Sequence, residues 1–174
     1  MQVDKTLISE RRLQARVRRL AEMIAADFTG DELVVVGLMC GSFMFVADLI
    51  RRLHTCHLPL IVDFMVASSY GARQRSSGRV SLRQDLSVAV RGRCVLLVDD
   101  IMDTGRTLHC VETILRRRRP AILKTCVLLD KPCRRVVGRT PDYVGFTIPD
   151  QFVAGYGLDA AGRHREQPFL SAPE

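Results

Sequence analysis

The sequence predicts an α/β fold: a mostly parallel sheet flanked by helices. Three observations carry that prediction. Short continuous apolar runs such as Leu33–Leu38 and Val95–Val98 read as strands buried on both faces, the mark of a parallel sheet. Stretches with apolar residues at helical spacing lie between them, so strands and helices alternate along the chain. Several strand runs end in polar or glycine-containing segments, which this architecture collects on one edge.

The elements follow in order. Residues 9–27 read as a helix, with Ser9 as N-cap and Leu13, Val17, Leu20 and Ile24 on one face. Thr29-Gly30-Asp31 ends it, and Leu33–Leu38 is the first buried strand. Met39-Cys40-Gly41-Ser42 is a turn, and Phe43–Leu53 a second helix. Leu60–Val66 is the next strand. Ala67–Asp85, rich in Ser, Gly and Arg, has the character of a long mobile loop or ribbon, a length that compact domains usually keep for function. Cys94–Val98 is a strand, and the helix after it ends before Pro120. Leu123–Leu129 and Tyr143–Ile148 are further strands, and Phe152–Tyr156 a short last one. No internal repeat or low-complexity segment interrupts the series.

Composition bounds the reading. The 174 residues suit a single domain spanning 1–174, and 47% hydrophobic content is enough for a sizeable core. No apolar run approaches the roughly 20 residues that span a bilayer, and the first residues lack a signal-peptide pattern, so no membrane partner is expected. The six cysteines form no Cys-x-x-Cys pair and no zinc spacing. Cys94, Cys110 and Cys126 fall in apolar or helical stretches and read as buried thiols, which points to the reducing cytoplasm. The net charge of +7 suits nucleic acid or a polyanionic small substrate. Much of it lies in two helical clusters, Arg11–Arg19 and Arg116–Arg119, that read as solvated faces. With 6% aromatic residues and no Trp, base-stacking platforms for nucleic acid are not expected.

The chemistry concentrates in Val95–Leu108. The apolar strand ends in Asp99-Asp100, and Asp103-Thr104-Gly105-Arg106-Thr107 turns into the next helix. A helix N-terminus opened by small and hydroxyl residues leaves N–H groups free for a phosphate. Two acids beside it suit sugar hydroxyls and Mg2+. An ordinary capped strand–turn–helix explains Thr104 and Gly105, but not three acids crowded at one strand end.

This stretch resembles the phosphoribosyl-pyrophosphate (PRPP) motif of type I phosphoribosyltransferases. From about Val34 to Glu166 the chain resembles the hypoxanthine-guanine branch of that family. The resemblance implies the family's fold, with a small hood and a mobile loop, and transfer of ribose 5-phosphate from PRPP to N9 of a 6-oxopurine with Mg2+. It implies that Asp99 and Asp100 hold the ribose hydroxyls and metal, where the family more often carries Glu-Asp. Asp103 becomes the general acid/base at purine N7, and Asp103, Thr104, Gly105, Arg106 and Thr107 become the ribose-phosphate loop. Pyrophosphate falls to Cys40 and Gly41, Ser69 and Tyr70, and Arg165. Cys40 stands where a basic residue is frequent, which leaves the backbone N–H groups to do the work. A cis peptide between Met39 and Cys40 is also implied. Lys131 would read the 6-oxo group, Phe152 stack on the base, Val153 pair with its edge, and Asp159 serve the base site and the metal. The loop 69–85 is the natural lid. Arg134 or Arg135 either guides phosphate or is simply exposed, and the four histidines match no catalytic position. A homodimer or homotetramer is the expected assembly. A transferase for another base, xanthine or adenine, and an RNA-binding regulator on the same fold are the alternatives.

Overall fold

A computed structural model describes residues 5–69 and 80–172. Its centre is a six-stranded sheet built from Leu33–Met39 (β2), Leu60–Ser69 (β3), Val80–Gln84 (β4), Cys94–Met102 (β5), Ile122–Asp130 (β6) and Tyr143–Thr147 (β7), in the order β4-β3-β2-β5-β6-β7. All neighbours are parallel except β3 and β4. Lys5–Ile8 (β1) and Leu170–Ala172 (β8) form a separate antiparallel pair that joins the two ends of the described chain.

The continuous apolar runs are the central strands, as their patterning requires. Leu33, Val35, Leu96, Val98, Cys126 and Leu128 face one core, which packs against helices Glu10–Asp27 (α1) and Phe43–Thr55 (α2). Val34, Val36, Val95, Leu97 and Val127 face the other, against helix Arg106–Arg117 (α3). Burial of each Leu, Val or Ile in these layers stabilises the fold by up to about 1.5–3 kcal/mol.

The structure refines or departs from the sequence-based expectations in four places. The segment 67–85, left open between loop and ribbon, is in part a regular ribbon: β3 runs on to Ser69 and pairs antiparallel with β4, with Ala67 opposite Leu82 and Ser69 opposite Val80. Residues 70–79, with Tyr70 and most of the expected lid, lie outside the described residues. Phe152–Tyr156 is not a strand; it makes only isolated bridges, Ala154 to Ser171 and Gly155 to Leu158. Cys110 is half-buried rather than buried. The arginines of α1 are also not uniformly solvated. Arg16 donates to the carbonyls of Gly145 and Val144, both at 2.6 Å, and Arg12 lies over the Phe146 ring. Two arginines thus occupy β7, the edge strand, which would otherwise offer unpaired backbone groups.

Strand order fixes where a ligand belongs. The chain leaves β2 through α2 towards β3 on one side, and leaves β5 through α3 towards β6 on the other. The connections diverge at the carboxyl ends of β2 and β5, and a crevice opens there.

Candidate active site

Met39-Cys40-Gly41 and Asp99–Asp103 end the two strands that flank this crevice. A cleft of about 300 Å³ opens at that point, lined by Gly41, Asp100, Ile101, Asp103, Lys131, Phe152, Val153, Leu158, Asp159 and Arg165. Eight of these ten are residues singled out from the sequence; Ile101 and Leu158 are additions. Ile101 was concealed by its place between acids, where an apolar residue reads as the tail of a strand.

Backbone contact holds the cleft together. A methyl group on Gly41 would lie 1.6 Å from Asp100 Oδ2, and one on Gly157 would lie 2.1 Å from the carbonyl oxygen of Gly41. The C-terminal hood, the loop after β2 and the β5 acid are therefore stacked with no room for a side chain between them. The Met39–Cys40 peptide is cis, as the resemblance implies. Cys40 itself is exposed and outside the cleft lining.

Asp99 and Asp100 are adjacent on a strand, so they project to opposite faces. Asp100 lines the cleft, whereas Asp99 is 7% exposed and does not. Burial and the neighbouring charge of Asp100 push the Asp99 carboxyl well above the ordinary carboxylate range. Burial also raises Asp100, against hydrogen bonds from Asp99 and the Ile101 N–H and the charge of Arg165. A cation would relieve this crowding, and an all-carboxylate donor set suits Mg2+.

Asp159 lines the cleft. It pairs with Arg165 at 2.6 Å and accepts the Gly162 N–H at 2.8 Å, and among the described residues no three acidic, His or Cys side chains converge on a metal position. Arg165 also donates to the Gly157 carbonyl at 2.6 Å, tying the hood's charged pair to its backbone. The donors fit a Mg2+ that keeps waters and is shared with substrate phosphates, not one held by an all-protein cage.

The turn 103–107 opens α3. Gly105, with φ of +80°, is the N-cap, and its Cα faces Val137, Met102 and Arg135 so closely that a methyl group would meet Val137 at 2.5 Å. Gly105 has no side chain to cap the helix; the Thr104 hydroxyl accepts the Arg106 N–H at 3.5 Å, and the other N–H groups of the first turn have no intrahelical acceptor. Thr104, Gly105, Arg106 and Thr107 flank the cleft without lining it. Ser69 ends β3, and Tyr70 lies outside the described residues.

Lys131 is 6% exposed, and its N–H is held by the Met102 carbonyl at 3.0 Å. An ammonium so placed is neither a surface charge nor, among the described residues, part of an ion pair. Phe152 is 58% exposed, the reverse of a core aromatic, and lines the cleft beside buried Val153. Arg134 and Arg135 part company. Arg135 is half-buried and pairs with Asp130. Arg134 is exposed and reaches Asp103 and Asp150. Neither lines the cleft. His54, His57 and His109 are exposed, and no His lines the cleft.

Comparison with known proteins agrees with this geometry. Residues 5–161 match the family model described as a phosphoribosyl transferase domain. The hypoxanthine phosphoribosyltransferase of Escherichia coli strain K12 is 44% identical over 168 residues, which is 95% of this chain and 93% of that protein. A crystal structure of a hypoxanthine-guanine phosphoribosyltransferase from Bacillus anthracis superposes with a TM-score of 0.93 at 44% identity, covering 99% of this chain and 100% of that one. A hypoxanthine phosphoribosyltransferase of Trypanosoma cruzi, studied for the role of its C-terminal region in oligomeric state and activity, gives 0.94 at 38% identity, covering 100% of this chain and 93% of that one. With the switch-point cleft, the acid pair and the buried lysine, these matches establish that the chain belongs to the phosphoribosyltransferase family, among its hypoxanthine phosphoribosyltransferases.

Proposed function

We propose that this chain transfers ribose 5-phosphate from PRPP to N9 of hypoxanthine or guanine, giving IMP or GMP and pyrophosphate, a purine-salvage reaction. The observation that carries the choice of base is Lys131. Its buried ammonium lines the cleft that also holds Asp103 and the exposed Phe152 ring. An ammonium has only donors, so it pairs with an oxo group at position 6 and meets an amino group donor to donor.

In this reading the 5′-phosphate sits on the open N–H groups at the start of α3, with Thr104, Gly105, Arg106 and Thr107 around it. Asp100, with Asp99 behind it, accepts hydrogen bonds from the ribose hydroxyls. The purine lies on Phe152 with its edge at Val153. N9 attacks C1 as the C1–pyrophosphate bond breaks through an oxocarbenium-like transition state. The proton released from the imidazole ring goes to the Asp103 carboxylate. Gly41 N–H and Arg165 would bind the departing pyrophosphate, with Ser69 and with Tyr70, which lies outside the described residues. Asp99 and Asp100 would hold a Mg2+, which would supply charge neutralisation at the leaving group. Asp159 takes part through its ion pair with Arg165. Closure by the segment after Ser69 would keep water from the cation-like centre.

The same reading makes residues 1–174 one domain acting in the cytoplasm as a homodimer or homotetramer, without a nucleic-acid or membrane partner. Six free thiols support a reducing compartment, and no helix among the described residues is long and apolar enough to cross a membrane. Exposed Met23, Phe43, Val62 and Ile122 offer apolar surface for association. The test is turnover of PRPP with a panel of hypoxanthine, guanine, xanthine and adenine. Hypoxanthine and guanine should be converted. Adenine turnover comparable to that of hypoxanthine would overturn the role of Lys131.

A further inference from the structure

Arg134 stands outside the cleft, yet it touches two of the segments that build it. It closes the short 3-10 turn Pro132–Arg134 that follows Lys131, its N–H held by the Lys131 carbonyl at 3.1 Å. Its Nε lies 2.7 Å from Asp103 Oδ1, at the end of β5. Its Nη1 lies 3.2 Å from Asp150 Oδ1, two residues before Phe152. One guanidinium thus bridges the proposed acid/base, the segment carrying the base-stacking ring and the turn carrying Lys131.

The two oxygens of Asp103 are not equivalent. Oδ1 is sealed from solvent and accepts no aligned hydrogen bond; it faces Arg134 as an ion pair. The side chain as a whole is 38% exposed and lines the cleft, so Oδ2 is the oxygen left to meet a purine. A carboxylate is free to spin about its Cβ–Cγ bond unless one oxygen is held. A planar guanidinium, itself fixed by a second carboxylate, is a suitable clamp.

We propose that Arg134, steadied by Asp150, is a positioning residue for Asp103: it fixes Oδ1 and thereby presents Oδ2 to the purine imidazole ring. The inference rests on the reading that Asp103 handles the purine proton. Arg134 acts only through Asp103, so its effect belongs to the proton-transfer step and not to PRPP binding. At 46% side-chain exposure for Arg134, the pair is too well solvated to matter much for stability.

The experiment is a kinetic cycle with hypoxanthine and PRPP on wild type, Arg134→Gln, Arg134→Lys, Asp103→Asn and the Asp103→Asn/Arg134→Gln double variant, with Tm recorded for each. Arg134→Gln should lower kcat roughly ten-fold, with KM for PRPP changed less than two-fold and Tm unchanged. Arg134→Lys should recover part of the loss, because an ammonium can hold Oδ1 but cannot bridge to Asp150 in the same plane. In the Asp103→Asn background the Arg134→Gln change should have no further effect, because its target is gone. A wild-type kcat in Arg134→Gln would overturn the proposal. A rise in KM for PRPP alone, or an equal additional loss in the double variant, would do the same. Absence of turnover by the wild type would instead remove the reading on which the proposal rests, and the proposal with it.

Discussion

Replacing Gly41 by Ala tests whether the backbone stacking in the cleft is functional. The added methyl would lie 1.6 Å from Asp100 Oδ2 and 2.7 Å from its Cγ, whereas ordinary contact begins at 3.4 Å. One partner must therefore move by about 1.8 Å. Asp100 is the softer of the two, since its Oδ1 is held by a single N–H, that of Ile101 at 2.8 Å. Turning the carboxylate away breaks that bond and removes the group proposed to hold the ribose. Misplacement of about 1 Å in a catalytic arrangement lowers rates by roughly 10²-fold, so kcat/KM for PRPP should fall at least about 100-fold. The fold should survive: overpacking of this kind costs about 1–3 kcal/mol, a Tm loss of roughly 2–12 °C for a chain of this size. Steady-state IMP formation and a thermal melt measure both. Gly138→Ala is the control, because nothing lies within 4 Å of a methyl there. A Gly41→Ala enzyme with kcat/KM within two-fold of wild type would refute the reasoning.

Four further outcomes are expected. Excess chelator should abolish turnover and added Mg2+ restore it; full activity in chelator would remove the metal from the scheme. Asp103→Asn should lower kcat by about 10²–10⁴-fold with little change in KM for PRPP; an unchanged kcat would make Asp103 a binding group only. Lys131→Ala should raise KM for hypoxanthine and leave PRPP binding nearly intact, since the lost donor faces only the base; equal weakening of both ligands would show that Lys131 serves the cleft's shape. Burial raises the Asp48 carboxyl, but hydrogen bonds from Tyr156, Gln14 and Arg51 outweigh it and hold Asp48 below the ordinary range. Its stabilising contribution is therefore complete above the ordinary carboxylate value of about 4 and is lost as pH falls through the lower folded-state value. Asp48→Asn should flatten the acid limb of the stability curve below about pH 4, and an unaltered limb in urea melts across pH would count against it.

What the sequence made legible is what is local. The run from Val95 to Leu108 carries its strand, acids, turn and helix in consecutive positions, so the fold class and the sugar-phosphate side of the cleft follow from it directly. Lys131, Phe152 and Arg165 became legible only through the resemblance to the family, whose order and spacing relative to Asp103 they share. The contacts that stayed hidden are long-range. Nothing near Arg134 signals that it meets Asp103 and Asp150, and nothing in Lys5–Ile8 signals pairing with Leu170–Ala172. The polar composition of 80–84 left loop and ribbon open, because β4 is an edge strand paired on one side only and needs no continuous apolar run. In the other direction, apolar Phe152–Tyr156 reads as a strand, but its residues pack into a cleft and a core without a ladder partner.

The two halves of the cleft share one apolar layer and differ in what else holds them. The acids and the phosphate turn sit on β5 and α3, fixed between two apolar layers. Residues 153–170 reach one of these layers as well, through Val153, Tyr156, Leu158 and Leu170, and are tied besides by backbone bonds between distant segments. Ala154 exchanges backbone bonds with Ser171 at 3.0 and 2.8 Å, and the Tyr156 N–H reaches the Gln167 carbonyl at 2.8 Å. Ser171 lies in β8, which is held in turn by β1. Tyr156 is buried, and its hydroxyl donates to Asp48 of α2. Phe152 and Val153 are therefore positioned by this shared core together with the β1–β8 pair. The Gly157–Gly41–Asp100 stack is where the two halves must stay in register.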